Sequence, residues 1–333
     1  MVVALSVAVG LSTGGATEPI ELVDQTGRTV RIEEPVERLA SVYGSGTYYV
    51  YALGVQARLV AGWYLGVKGL AQATEAMHRL EPRLAELLLF GDPNVEELVS
   101  RGVDLVMVDG SRHAALADQM GELGVPVLQY RVETPGALLE AMRLTGAALG
   151  PDATARAEAF IADYEQVVAR VTEVLAGVPE DERARVLFLG TDASKVASGA
   201  MYQSLLIEAA GGVSVTEGLV GYWNEVGLEQ ILLWNPDVIL IPPYGPLQPD
   251  DLLASADWAA IGAVRDGRVH RLPRLIAPMD APVPESLLGV LWIAETLYPD
   301  LVDLDLAEEA VRFYATYYDY DLTGAELERL TSR

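Results

Sequence analysis

The chain has 333 residues, 51 % of them hydrophobic, with 23 basic against 48 acidic side chains for a net charge of −25, and no cysteine. That length exceeds what one hydrophobic core usually supports, so two domains are expected, and the composition predicts a folded chain rather than a disordered one. The acidic balance argues against nucleic acid as a partner, because phosphate binding runs on lysine and arginine, and the lack of cysteine excludes disulfides, thiolate metal sites and cysteine nucleophiles.

Residues 1–17 combine an apolar run from Val2 to Leu11 with the small residues Ser12 to Ala16. This predicts a secretory signal and hence an extracytoplasmic protein, in the periplasm or at the cell surface; a buried first strand is the alternative. The run is far short of the roughly 20 residues that span a bilayer. No cysteine follows it to carry a bacterial lipid anchor, which leaves the mode of retention open.

Leu22 to Ile32 reads as two short strands around a glycine turn. Arg38 to Val42 is a strand, followed by the loop Tyr43-Gly44-Ser45-Gly46 and a helix from Thr47 to Leu53. Leu59 to Gly62 is a second strand, ending in Trp63-Tyr64. Val103 to Val108 is a third, running into Ser111-Arg112-His113, and Val125 to Tyr130 a fourth. Strands alternating with helices in this way imply a parallel sheet covered on both faces. From Pro151 to Leu175 the apolar residues Phe160, Tyr164, Val167, Val168, Val171 and Val174 recur at helical steps, predicting one long amphipathic helix. A second lobe then begins with the strand Arg185 to Gly190. It continues through a helix from Met201 to Ala210, a short helix from Asp257 to Val264, the strand Arg268 to Leu272, and closing helices around Pro284 to Tyr298 and Leu306 to Tyr320. The expected organisation is a first lobe over 18–150, a linking helix over 151–177 and a second lobe over 178–333. A single stiff rod between the lobes would permit only small relative motion.

One pattern occurs twice. Val95-Glu96-Glu97-Leu98-Val99 precedes Asp104 and the apolar run after it; Leu228-Glu229-Gln230-Ile231-Leu232 precedes Asp237 and Val238 to Ile241, at a constant offset of 133 residues. A glutamate in the first turn of a helix is favoured by the helix dipole, typically by about 0.3–1 kcal/mol, and that alone explains either glutamate. It does not explain their equivalence, which suggests two lobes built alike.

With these residues in hand, the order of elements resembles the substrate-binding proteins of ABC importers. It is similar to the helix-linked group that serves siderophores, haem, cobalamin and some oxyanions. The resemblance implies an α/β fold of two Rossmann-like lobes with mainly parallel sheets, joined by one long helix, with the ligand cleft between them. It also implies that Glu96 and Glu229 dock to the importer's membrane permease, and that the protein is a monomer needing no cofactor of its own.

Ligands of open α/β sheets sit outside the carboxyl ends of the strands. That rule selects Tyr43, Tyr48, Trp63, Tyr64, Arg112 and His113 in the first lobe and Tyr202, Tyr222, Trp223, Tyr244 and Arg274 in the second. Aromatic rings give rigid contact area with a polar tip, and arginine grips anionic groups through a planar fork. With 15 tyrosines in the chain, any one loop tyrosine is as readily packing as contact. His113 stands where a metal or haem ligand could stand, whereas His78 and His270 are placed less favourably. A bare transition-metal site needs about four nitrogen, oxygen or sulfur ligands, and three scattered histidines do not supply it. A chelated metal brings its own ligands, and an oxyanion such as molybdate or tungstate needs arginine and hydrogen-bond donors; the residues leave both open.

The rival class is an enzyme with an interlobe active site. Gly44-Ser45-Gly46 lacks the third glycine of a dinucleotide fingerprint and the Lys-Ser/Thr of a phosphate loop, and neither Gly-x-Ser-x-Gly nor His-Glu-x-x-His occurs. Paired catalytic carboxylates stay possible among 48 acids.

Overall fold

A computed structural model describes residues 19–33, 35–91 and 93–333. The signal-like segment 1–17 lies outside the described residues. Strands β1 (Ile20–Val23) and β2 (Thr29–Ile32) form the expected antiparallel hairpin. Within its turn Asp24 accepts the Thr26 and Arg28 amides at 2.9 and 3.1 Å, and its second oxygen accepts the Gln129 amide at 3.3 Å, fastening the hairpin to the first sheet.

That sheet contains β3 (Leu39–Ser41), β4 (Leu59–Gly62), β5 (Leu105–Asp109) and β6 (Val127–Tyr130), all parallel, in the order β4-β3-β5-β6. The second sheet is again all parallel. It contains β7 (Arg185–Phe188), β9 (Val213–Ser214), β11 (Val238–Ile241) and β12 (Val269–Arg271), in the order β12-β11-β7-β9. Numbered by chain order within each sheet, both run 2-1-3-4. Between them in sequence, β8 (Lys195–Ala197) and β10 (Trp223–Glu225) form a separate antiparallel pair. Leu105 to Val108 and Val238 to Ile241 are fully buried, the signature of parallel strands covered by helices on both faces.

The linking helix runs Pro151–Val174, about 36 Å at 1.5 Å per residue. Its buried stripe is Ala153, Ala157, Phe160, Ile161, Tyr164, Val167 and Val171, the three-and-four spacing of a one-sided helix. It packs along the helix Pro135–Leu149, and Gly146 lets the two backbones close up: a β-carbon there would sit 2.9 Å from the Ala153 carbonyl oxygen. The helix Ser286–Leu297 is buried on every side. The helices Leu306–Tyr318 and Gly324–Thr331 then return toward the first lobe, where Glu326 pairs with Arg79 at 2.9 Å. Tyr49 likewise donates to the Pro282 carbonyl at 2.9 Å. The lobes are thus joined by the linking helix and by this C-terminal packing.

Several helices have no counterpart in the sequence reading, the longest of them Ala114–Glu122, Pro135–Leu149 and Gly324–Thr331. The helix expected from Asp257 shrinks to Gly262–Arg265, preceded by turns. Among the described residues no helix is long and apolar enough to cross a membrane.

Candidate functional site

The carboxyl edge of the first sheet faces the second lobe across a cavity of about 840 Å³. All four strands of the first sheet deliver residues to it. After β3, Tyr43 lies on the cavity wall with its ring stacked on Tyr130, centroids 5.7 Å apart, and edge-on to Tyr49 at 6.1 Å. Burial pushes the Tyr43 hydroxyl above its usual range, so it stays protonated. After β4 come Trp63 and Tyr64. Trp63 meets the His113 ring edge-on at 5.4 Å, and the Tyr64 hydroxyl shares a 2.7 Å hydrogen bond with Tyr51.

After β5, Asp109 accepts the Ser111 and Arg112 amides at 2.8 and 3.2 Å and so shapes the loop. The Arg112 guanidinium lies 3.7 Å from the same carboxylate, with its side chain 78 % exposed. After β6 come Arg131 and Glu133.

The second lobe contributes differently. Tyr202, at the start of its helix, shares a 2.8 Å hydrogen bond with Ser286, and Gln203 beside it also lies on the wall. Tyr222 and Trp223 come from the start of β10 and the turn before it. The Tyr222 hydroxyl reaches across to the first lobe and donates to Glu133 at 2.6 Å. That contact raises the Tyr222 hydroxyl's pKa, because ionising it would set two negative charges side by side. Tyr244, after β11, donates to the buried Asp280 at 2.8 Å, and burial pushes the Asp280 carboxyl up to about 6.

Nine of the eleven residues read as cleft-facing line this one cavity, from both lobes: Tyr43, Trp63, Tyr64, Arg112, His113, Tyr202, Tyr222, Trp223 and Tyr244. Tyr48 and Arg274 are corrected, since neither is among the residues that line the cavity. Tyr48 sits on a helix, Gly44–Ala52, whose side chains are buried on every face, and is itself only 1 % exposed. Arg274 does not line the cavity; it backs the lining residue Gly66, donating to its carbonyl at 3.3 Å and toward the Met77 sulfur at 3.8 Å. The sequence reading missed Lys68, Asp109, Arg131, Glu133 and Gln203. The strand-end rule applied to β6 would have found Arg131 and Glu133.

The wall's basic side chains, Lys68, Arg112 and Arg131, are all exposed, whereas Tyr64, Tyr130 and Tyr202 are buried. His270 lies in β12, and burial lowers its pKa. Among the described residues no group of three or more His, Asp or Glu is arranged to hold a metal ion.

Glu96 and Glu229 are both exposed in the first turns of short helices, Val95–Ser100 and Leu228–Trp234. Each helix leads back into the third strand of its sheet, so both helices start toward the carboxyl edge, where the cavity lies.

Residues 39–274 match the family model described as periplasmic binding protein. The molybdate-binding protein MolA of Haemophilus influenzae is 28 % identical over 269 residues, covering 72 % of this chain and 75 % of that protein. A periplasmic solute binding protein from Veillonella parvula superimposes with a TM-score of 0.81 at 27 % identity, covering 94 % of this chain and 97 % of that one. The structure of MolA with molybdate bound shares the fold, with a TM-score of 0.78 at 22 % identity over 91 % of this chain and 99 % of that one. With its two parallel sheets, linking helix and interlobe cavity, the chain belongs to the periplasmic binding protein family.

Proposed function

We propose that this chain is the extracytoplasmic solute-binding component of an ABC importer. It captures a metal chelate of ferric siderophore, haem or cobalamin type between its lobes and delivers it, without turnover, to the membrane permease. The N-terminal segment acts as a secretory signal, the protein works as a monomer, and Glu96 and Glu229 dock to the permease.

The observation that carries this reading is the make-up of the cavity lining: Tyr64, Tyr130 and Tyr202 are buried within it, Tyr222 and Trp223 present exposed rings, and three basic side chains, Lys68, Arg112 and Arg131, stand exposed against one exposed acid, Glu133. A volume near 840 Å³ lies in the range of about 300–1,000 Å³ that encloses a sizeable organic ligand. Aromatic faces suit the apolar body of a chelate, and exposed cations suit anionic groups spread over its periphery. A bare tetrahedral oxyanion places the opposite demand on a site, since it must be stripped of water by short, converging, buried donors. The chelate also carries its own metal ligands, so the wall has only to match shape and charge. Molybdate is the second reading, favoured by the 28 % identical relative named for binding it.

The experiment is a thermal-shift and calorimetric panel of ferric citrate, a ferric hydroxamate, haem, cobalamin, molybdate and tungstate. A chelate at 100 times its Kd raises stability by about 2.7 kcal/mol, and Arg112→Ala weakens that binding by about tenfold. A shift with molybdate or tungstate alone replaces the chelate by the oxyanion. No shift with any member returns the question to the enzyme reading.

A further inference from the structure

The duplicated helices repeat more than their glutamates. Val99 is 47 % exposed and Leu232 is 37 % exposed, and each stands three residues beyond its glutamate at the shared offset of 133. The residue before each, Leu98 and Ile231, is fully buried and holds its helix onto its sheet. Residues three apart on a helix are surface neighbours, so each lobe sets an acid beside an exposed apolar side chain. Singly exposed apolar residues are ordinary. What packing does not account for is the same pair at the same step of both lobes, on helices anchored by the same buried position.

We propose that each lobe docks the importer permease through a two-residue contact, Glu96 with Val99 and Glu229 with Leu232. This rests on the docking reading above and extends it. An arginine is the side chain that satisfies both members at once, its guanidinium forking onto the carboxylate while its methylene stem covers the apolar neighbour. A net charge of −25 favours a basic partner. Two equivalent patches on one pseudo-symmetric chain fit a partner that presents the same basic and apolar surface twice. On the second lobe Leu233, 79 % exposed, widens the apolar area beyond the shared pair.

The test measures binding of the ligand-free protein to its permease–ATPase complex in lipid nanodiscs. Val99→Asp with Leu232→Asp is expected to weaken binding at least tenfold at unchanged melting temperature, and the milder Val99→Thr with Leu232→Gln to follow in the same direction. Val311→Asp, at an exposed apolar site on another helix, leaves binding intact. Full-strength binding by both double variants overturns the two-residue contact while leaving the glutamates in place. Full-strength binding by Glu96→Ala with Glu229→Ala, or no binding by the unaltered chain, overturns the docking reading beneath it.

Discussion

In the first lobe Asp104 accepts the backbone amides of Glu37 and Arg38 at 2.8 and 3.0 Å, and its own amide donates to the Arg38 carbonyl at 2.9 Å. In the second lobe Asp237 accepts the Arg185 amide at 2.9 Å and donates to the Arg185 carbonyl at 2.8 Å. The arginines agree as well: Arg38 donates to the Arg101 carbonyl at 2.9 Å and Arg185 to the Trp234 carbonyl at 2.7 Å, each fixing the end of the glutamate-bearing helix. At the amino edge of the sheets, then, the lobes are near-copies. At the carboxyl edge they differ, because the first lobe sends all four strand ends to the cavity, whereas the second sends Tyr244 after β11 and otherwise brings in a helix start and the head of β10. The shared edge holds strands one and three of each sheet together, and the divergent edge is where ligand chemistry can change without disturbing that frame.

The largest effect expected from breaking the shared edge falls on the aspartates. Asp104→Ala strips two backbone amides of a charged acceptor and should cost about 2–3 kcal/mol in urea unfolding. Asp237→Ala removes one such bond at a more exposed position and should cost about half as much. Equal costs would mean that the second amide held by Asp104 adds no stability and that the two ties are energetically alike.

A smaller effect tests the joint that neither lobe duplicates. Glu285 is fully buried, accepts the Tyr318 hydroxyl at 2.7 Å and the Ala277 amide at 3.1 Å, and has the Arg274 charge nearby; burial outweighs these and pushes its carboxyl up to about 7. The folded chain therefore keeps this proton up to about pH 7, while an unfolded glutamate releases it near pH 4.3. The stability this proton supplies is fully present below pH 4.3 and is lost as pH rises through about 7. Asp280, at about 6, acts in the same direction. Glu285→Gln should flatten the fall in melting temperature between pH 5 and pH 8, and should exceed the unaltered chain at pH 8 by on the order of 2 kcal/mol. An unchanged pH profile would show that Glu285 is not the group responsible.

How far the sequence disclosed this molecule follows from the same contrast between edges. The duplicated glutamate and aspartate steps, the apolar strands and the Pro151 helix were legible because each is a local pattern with a fixed period. The arginine half of the tie was not, because Arg38 and Arg185 precede their aspartates by 66 and 52 residues, an unequal spacing that shows no repeat until the strands are paired. Tyr48 was misplaced because Tyr48, Tyr49 and Tyr51 are all buried, and a helix apolar on every side carries no phase that distinguishes cleft from core. Arg274 was misplaced because its partners, Gly66 and Met77, are about 200 residues away in sequence. Trp223 was read as loop, and its strand character depends on pairing with Ala197.

The smallest effect is expected where the two unlike edges meet across the cavity. The Tyr222 hydroxyl donates to Glu133 at 2.6 Å, both residues are exposed, and neither has a counterpart in the other lobe. A hydrogen bond to a charged acceptor in solvent is worth about 1 kcal/mol or less, so Tyr222→Phe should barely move the melting temperature. The bond nevertheless ties the two lobes together beside the cavity that both residues line, so a ligand released by parting the lobes there must first break it. Tyr222→Phe and Glu133→Gln should therefore each speed ferric-chelate dissociation by up to about fivefold while leaving association nearly unchanged, and the double variant should be no faster than either alone. Additive effects in stopped-flow measurements would assign the two side chains separate contacts with the ligand, and the lobes would then touch there by proximity alone.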